Sequence, residues 1–282
     1  MTIFKPGLYI VSTPIGNLDD ITLRSLEVLK NSDIILCEDT RRSIKLLNHY
    51  KIKKKLLSYH KFNEQKELQK IIEYLNEGKI LSLISDAGTP ILSDPGLLLI
   101  RTCIENNIEI FPLPGPSVIT TAVSISGFDD KFLFYGFLPK NENELVKIIN
   151  SLKNIDFSLV FFLPAVKLNF YLNFFKKYFS GRNILIAREV SKIHETFYRD
   201  RVSTIKPFKT VLKGELTVVI SKIYTNNESE TESDLDITVE AKKYLKKYSL
   251  KDVVELISKK EKVSKKKVYE ICLKIKNDKK NN

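Results

Sequence analysis

The strongest constraint on this chain is an alternation: short apolar runs take turns with helix-patterned segments through the first half. LYIVST (Leu8–Thr13), DIILCED (Asp33–Asp39), LLSY (Leu56–Tyr59), KILSLIS (Lys79–Ser85) and EIFPLP (Glu109–Pro114) each read as a buried strand. Between them, Leu68, Ile71, Ile72 and Leu75 follow the i, i+3, i+4, i+7 spacing of an amphipathic helix, which Gly78 would stop. Asp19 or Asp20 is available to cap ITLRSLEVLKN, a polar-faced helix is expected from Thr40 to about Tyr50, and Asn63 would open another. Asp94 and Pro95 suit the start of PGLLLIRTCIENN, and Ser117 that of VITTAVSIS. Strand-helix repetition of this kind predicts a doubly wound α/β lobe.

The second half opens with FLFYGFL, followed by a helix after Asn141, the apolar strand Phe157–Leu163, an aromatic-rich helix and NILIAREV. ETFYRDRV and ELTVVIS, separated by a short connection, are expected to pair antiparallel within a mixed sheet. NNESETESD (Asn226–Asp234) is polar, acidic and without apolar residues, the composition of a linker. Three helical patterns follow, the second with Ser249 and Asp252 in capping-box positions and the third opened by Ser264. The expected organisation is α/β: one lobe over 1–127, a second over 128–225, a linker at 226–234 and a basic helix-turn-helix module over 235–282.

The net charge is +12. From Leu235 onward there are fifteen Lys and no Arg against seven Asp and Glu, so two thirds of the surplus lies in that segment. A Lys-, Ile- and Asn-rich composition also arises from an AT-rich genome. The location of the charge therefore says more than its total, and it points to an acidic partner such as nucleic acid. A Lys-rich tail with a solvated face is the plainer alternative. No run of about eighteen uncharged apolar residues occurs, so no membrane partner is expected. The N-terminal residues lack a cleavage pattern for secretion. Cys37, Cys103 and Cys272 lie among apolar residues without CxxC spacing, which suits reduced core thiols in the cytoplasm and no metal site.

In open α/β sheets ligands gather at the carboxyl ends of strands. Three loops there have unusual composition: STPIGN (Ser12–Asn17), SDAGTP (Ser85–Pro90) and LPGPS (Leu113–Ser117). Gly88 and Gly115 allow close backbone approach, Asp86 offers a carboxylate, and Thr89 and Ser117 offer hydroxyls. Neither GxGxxG nor GxxxxGK[ST] occurs, so no loop is built to wrap a pyrophosphate. A nucleoside without phosphates, such as S-adenosylmethionine, is compatible with what remains. A second cluster holds Glu38, Asp39, Arg41 and Arg42, with His60 and Asn63 nearby in the chain. The arginines and Asn63 suit RNA phosphates, and Glu38, Asp39 or His60 suits proton acceptance from a hydroxyl. Equally, the acidic pair could hold Arg41 and Arg42 merely to shape the loop. His194 and Glu195 are further candidates, and Lys265, Lys266 and Lys267 open the last helix facing a prospective RNA.

Taken in order, LYIVSTPIGNLDDITLRSLEVL, CEDTRRSIKLL, SYHKFNE, SDAGTPILSDPG and PLPGPSVITTAVSISG closely resemble the ribosomal RNA small subunit methyltransferase I family, a branch of the tetrapyrrole methylase superfamily. GFLP, AREVSKIHE and KGELTVVI extend the likeness through the second half, and the tail resembles the family's helix-turn-helix domain. The resemblance implies two α/β lobes of the tetrapyrrole methylase type with S-adenosylmethionine between them, a homodimer, and 2′-O-methylation of a cytidine in the decoding region of 16S rRNA within the small ribosomal subunit. Carried over by position, it implies a cofactor site made of Ile15, Asp86, Ala87, Gly88, Thr89, Ser117, Val118, Leu163, Ala187, Gly214, Glu215 and Leu216. The first loop departs from the Gly-rich form frequent in the superfamily. Two other readings share some of these features: a methylase of a precorrin-type tetrapyrrole, and a non-catalytic RNA-binding assembly protein. The basic tail and the wording of CEDTRR and SYHKFNE speak against the first, and intact loops in both lobes against the second.

Overall fold

A computed structural model describes residues 4–223, 232–245, 248–260 and 263–278. The chain divides into two compact units, Met1–Ile223 and Tyr224–Asn282.

The first unit begins with five strands, β1 (Gly7–Val11), β2 (Ile34–Cys37), β3 (Lys55–Ser58), β4 (Ile80–Ile84) and β5 (Ile110–Leu113). They form one sheet in the order β3-β2-β4-β1-β5, every neighbouring pair parallel. The connections are α1 (Leu23–Asn31), α2 (Thr40–His49), α3 (Glu64–Asn76) and α4 (Leu97–Glu105), with α5 (Val118–Ser124) after β5. Successive residues of β1 enter opposite cores: Leu8 and Ile10 join Leu36, Ile71 and Leu99, while Tyr9 and Val11 join Val28, Ile35 and Leu47. Burial on both faces is why these strands are near-continuously apolar.

Two expected caps fall elsewhere. Helix α1 is capped by Thr22, whose hydroxyl accepts the Ser25 N–H at 3.0 Å, so Asp19 and Asp20 precede it in a short 3-10 turn. Asp20 instead accepts a hydrogen bond from the Ser191 hydroxyl, a tie between the first loop and the second sheet's connections. At α4 the capping position belongs to Gly96 at φ +128, without a side-chain bond. Asp94 is thereby released from the helix start.

The second sheet contains β6 (Phe132–Phe137), β7 (Ser158–Pro164), β8 (Asn183–Arg188), β9 (Thr196–Arg201) and β10 (Glu215–Ile220), in the order β6-β7-β10-β8-β9. Only β6 and β7 are parallel. The expected pairing of ETFYRDRV with ELTVVIS does not form; β9 pairs with β8, and β10 lies between β7 and β8. Burial explains the order. Leu216–Ile220 is buried throughout and needs a neighbour on both sides, whereas Arg199, Asp200 and Arg201 on β9 tolerate an edge. Helices α6 (Glu142–Leu152) and α7 (Leu168–Tyr178) cover one face of this sheet. The other face receives α5: Ile119 and Ala122 pack against Val160, Leu185, Ala187 and Val219. That helix locks the two sheets together and leaves a cleft beside it.

In the second unit, α8 (Glu232–Tyr244), α9 (Leu250–Lys260) and α10 (Lys265–Asp278) enclose a core of Ile237, Ala241, Val253, Ile257, Val268 and Cys272. Ser249 and Asp252 make the expected capping contacts at α9. Of the expected linker, 226–231 lies outside the described residues, and the remainder already belongs to α8. The three cysteines are free and buried. No described helix is long and apolar enough to cross a membrane.

Candidate active site

The three carboxyl-end loops of the first sheet are stitched to one another. Thr13 and Gly88 exchange backbone hydrogen bonds, both at 2.9 Å, forming a bridge between the loops after β1 and β4. The Ser12 and Thr89 hydroxyls meet at 3.0 Å, and Thr89 donates to the Pro116 carbonyl at 3.2 Å. Two glycines make this approach possible. Gly88 has φ +80, and a Cβ on Gly115 would stand 2.7 Å from the Ser12 Cβ.

Together with the second sheet these loops enclose a cavity of about 510 Å³. All twelve residues expected around a cofactor line it: Ile15, Asp86, Ala87, Gly88, Thr89, Ser117 and Val118 from the first sheet's loops, and Leu163, Ala187, Gly214, Glu215 and Leu216 from the second lobe. The turn Gly214–Leu216 is fixed from behind by Glu189, whose carboxylate accepts the Glu215 N–H at 2.8 Å and the Lys192 ammonium at 3.1 Å.

The second cluster separates into members that face the cavity and members that do not. Glu38 and Arg42 line it. Asp39 caps α2 by accepting the Arg41 N–H, and it holds the Arg41 guanidinium through two further bonds, at 3.0 and 2.7 Å. Those bonds keep the Asp39 carboxyl at about 2. Asp39 and Arg41 thus make the loop-shaping contacts that the sequence offered as an alternative. His60 and Asn63 build a turn: Asn63 Oδ1 accepts the His60 N–H, Asn63 Nδ2 donates to the Ser58 carbonyl, and His60 Nδ1 accepts the Phe62 N–H. His60 Nδ1 is therefore engaged within the turn. His194 and Glu195 sit in the turn between β8 and β9, where Glu195 accepts the Ser191 N–H.

Five carboxylate residues line the cavity: Glu189 and Glu215 are both paired with Lys192, which leaves Glu38, Asp86 and Asp94 on the opposite wall. Asp86 is engaged, accepting the Asp39 backbone N–H at 3.2 Å and pairing with Arg42 at 3.3 Å. Glu38 is pushed up from the usual carboxylate range by burial and by the Asp86 charge. Asp94 is raised to about 6, chiefly by burial and then by Glu38 and Asp86. It sits on a loop with left-handed backbone at Ile91 (φ +77) and Ser93 (φ +73), conformations costly for side chains with a Cβ and frequent where a loop is held for function. The sequence reading missed Asp94 in this role because aspartate followed by proline and an apolar run also reads as a helix start. It missed Glu189 and Lys192 because nothing local distinguishes them from a surface ion pair.

The chemistry of this cavity is legible. Its lining is mostly apolar, it has close-approach backbone on one side and carboxylates on the other, and no phosphate cradle occurs among its loops. Among the described residues no group of three His, Cys, Asp or Glu is placed to hold a metal ion.

A family model described as Tetrapyrrole (Corrin/Porphyrin) Methylases matches residues 7–206, which sets the class of the protein: a methylase of two α/β lobes. Solved structures agree on the fold. Uroporphyrin-III-C-methyltransferase from Thermus thermophilus superposes with a TM-score of 0.53 at 17% identity, over 77% of this chain and 93% of that one. Diphthine synthase gives 0.59 at 15% identity, over 76% and 89%. Sequence relatives are more specific. Ribosomal RNA small subunit methyltransferase I from Thermotoga maritima is 46% identical over 217 residues, 76% of this chain and 97% of its own. The protein of that name from Rickettsia prowazekii is 46% identical over 78% of this chain and 79% of its own. That from Buchnera aphidicola is 36% identical over 279 residues, 95% of this chain and 96% of its own. The chain belongs to the ribosomal RNA small subunit methyltransferase I family and is a methyltransferase, a class of enzyme that requires a methyl donor.

Proposed function

We propose that this protein transfers a methyl group from S-adenosylmethionine to the ribose 2′-hydroxyl of a cytidine in the decoding region of 16S rRNA. The observation that carries the donor assignment is the cavity between the sheets, apolar-walled, rich in carboxylate and without a pyrophosphate cradle. Its volume suits a nucleoside ligand. Ile15, Val118, Leu163, Ala187 and Leu216 offer walls for an adenosine, and the backbone N–H groups of Ala87 and Thr89 flank it, that of Gly88 being spent on Thr13. Glu38, Asp86 and Asp94 give that space a negative character that suits a sulfonium and an ammonium and opposes a polyphosphate. The names of the relatives support the RNA substrate.

S-adenosylmethionine supplies, when bound, a methyl group already activated for transfer. What the chain must add is alignment and a place for the proton. Arg42 holds Asp86 in position at the cavity wall. Glu38 and Asp94 are the carboxylates left to receive a proton, and Asp94, raised to about 6, is ionised near neutral pH while remaining a competent base. We assign proton acceptance from the ribose hydroxyl to the Asp94 carboxylate, with Glu38 keeping it basic.

Nucleoside mass spectrometry of 16S rRNA from a strain lacking the gene tests the reading. A missing 2′-O-methylcytidine, restored on complementation, is the expected result; unchanged rRNA would refute the substrate. Calorimetry tests the donor separately, since the protein must bind S-adenosylmethionine, and Asp86→Ala must weaken that binding about tenfold or more.

A further inference from the structure

The sequence places a second concentration of positive charge far from the C-terminal segment. Residues 40–70 contain ten Lys and Arg against two Glu, a surplus of eight. These residues are α2, β3 and the first half of α3, and β3 is one of the two edge strands of the first sheet. Lys45, Lys51, Lys53, Lys54, Lys55 and Lys61 are all exposed, as are Arg41 and Arg42. A surface that gathers this much charge of one sign at one sheet edge is an electrostatic footprint for a polyanion.

Within it stands an aromatic ring in water. Phe62 is 94% exposed, next to Lys61. Its backbone is held firmly: the Phe62 N–H donates to His60 Nδ1 at 3.2 Å, and Asn63 ties the turn to His60 and Ser58. A single exposed apolar residue is ordinary. A phenylalanine held by a hydrogen-bonded turn, inside the most basic stretch of the first unit, is a different case.

Its position relative to the cavity is set by the sheet. Cys37 and Ser58 are partners across β2 and β3, and Tyr59 N–H donates to the Cys37 carbonyl at 2.8 Å. The next residue after Cys37 is Glu38, which lines the cavity and feels the charge of His60. The His60 and Phe62 rings stand 6.1 Å apart, edge to face. His60 therefore follows β3 at the carboxyl edge of the sheet, within electrostatic reach of Glu38, and Phe62 lies two residues further along the same turn.

We infer that Phe62 is a base-stacking residue for a single-stranded RNA nucleotide flanking the methylated one, on a basic surface formed by residues 40–70. The inference rests on the rRNA-methylating reading above. A nucleotide whose ribose enters the cavity must be unstacked from its neighbours, and an exposed aromatic face at the same edge of the sheet replaces a lost stacking partner. The exposed cations beside the ring supply phosphate contacts that carry no sequence information. Stacking on an aromatic face tolerates any base, so Phe62 adds affinity and register rather than sequence choice.

The chain contains no Trp, so Phe62→Trp introduces a lone fluorophore at the proposed contact. Its emission should be quenched by a single-stranded oligonucleotide covering the 16S decoding region, and by 30S particles, in the absence of any methyl donor. In steady-state methylation of 30S particles, Phe62→Ala should raise KM about tenfold and leave kcat within about twofold, while Phe62→Tyr restores KM. Donor affinity by calorimetry should be equal in all three. Emission of the Trp variant that is indifferent to RNA, or an unchanged KM in the alanine variant, overturns the proposal. Quenching by a protein of the 30S particle but not by RNA overturns it in favour of a protein contact. A wild-type protein that methylates no rRNA would instead sink the functional reading, whereas the fluorescence experiment detects RNA contact without turnover.

Discussion

At Gly214 the backbone runs at φ +97, and a Cβ there would lie 2.4 Å from the Glu189 carboxyl carbon. Both the conformation and the space exclude a side chain, and the crowded carboxylate is the one that orders the Glu215 N–H. Gly214→Ala should therefore destabilise the protein by about 2–3 kcal/mol, read as a lower urea midpoint, and weaken donor binding together with it. Asp94 behaves in the opposite sense. Its carboxyl titrates at about 6 in the folded protein against an ordinary 3.8, so the native state holds the extra proton between those values. The contribution of this group to stability therefore falls as pH rises from about 4 to 6, and above that its buried charge works against folding. Asp94→Asn should stabilise the protein by about 1–2 kcal/mol at pH 7.5, a figure discounted from the full shift because the group is partly solvated. The same substitution should lower kcat about a hundredfold and remove the acid limb near pH 6 from the rate profile. A variant that is more stable yet fully active would show that Asp94 takes no proton.

The elements differ in how far their sequences disclosed them. The parallel strands were readable because both faces of their sheet are buried, which makes runs such as Ile34–Cys37 continuously apolar. The loops that line the cavity were readable because position at a strand end and resemblance agreed on the same residues, from Ile15 to Leu216. Strand order in the second sheet was not, since chain proximity suggested that β9 pairs with β10 whereas burial sent β10 to the centre. Nor was the loop 90–96, where left-handed Ile91 and Ser93 carry Asp94 away from the helix it precedes. Helix α10 poses a question at this scale. Lys265 and Lys266 are exposed in its first turn, where the helix dipole disfavours cations, while the Lys267 side chain is not described. An anionic partner at that end would reverse the penalty. Lys265→Glu with Lys266→Glu should raise the helical unit's thermal midpoint slightly and weaken rRNA affinity several-fold, with a shallower salt dependence. A midpoint that falls, or an affinity that holds, would place RNA elsewhere.

The whole molecule carries its charge in two blocks. The segment from Leu235 has a surplus of eight, residues 40–70 have another eight, and the rest of the chain is net negative by four, as the total of +12 requires. The two blocks sit in different compact units, so they make separable contributions to binding a polyanion. The units also differ in what they need. Met1–Ile223 contains both sheets, their cores and the entire cavity lining, and the Thermotoga maritima relative spans 97% of its own length on 76% of this chain. A relative of that length has no room for a second unit of this size, so a protein lacking Leu235–Asn282 should fold, keep its thermal midpoint for the α/β unit and bind S-adenosylmethionine unchanged. RNA affinity should divide along the charge. At low salt the truncated protein should still bind the decoding-region oligonucleotide through residues 40–70, with the slope of log affinity against log salt reduced by the number of phosphates the tail neutralises, about 0.7 per contact for a single strand. Salt titrations of the full-length and truncated proteins measure that difference directly. Equal slopes would make the helical unit a solvated appendage; total loss of RNA binding would remove residues 40–70 from the interface and leave the tail as the whole of it.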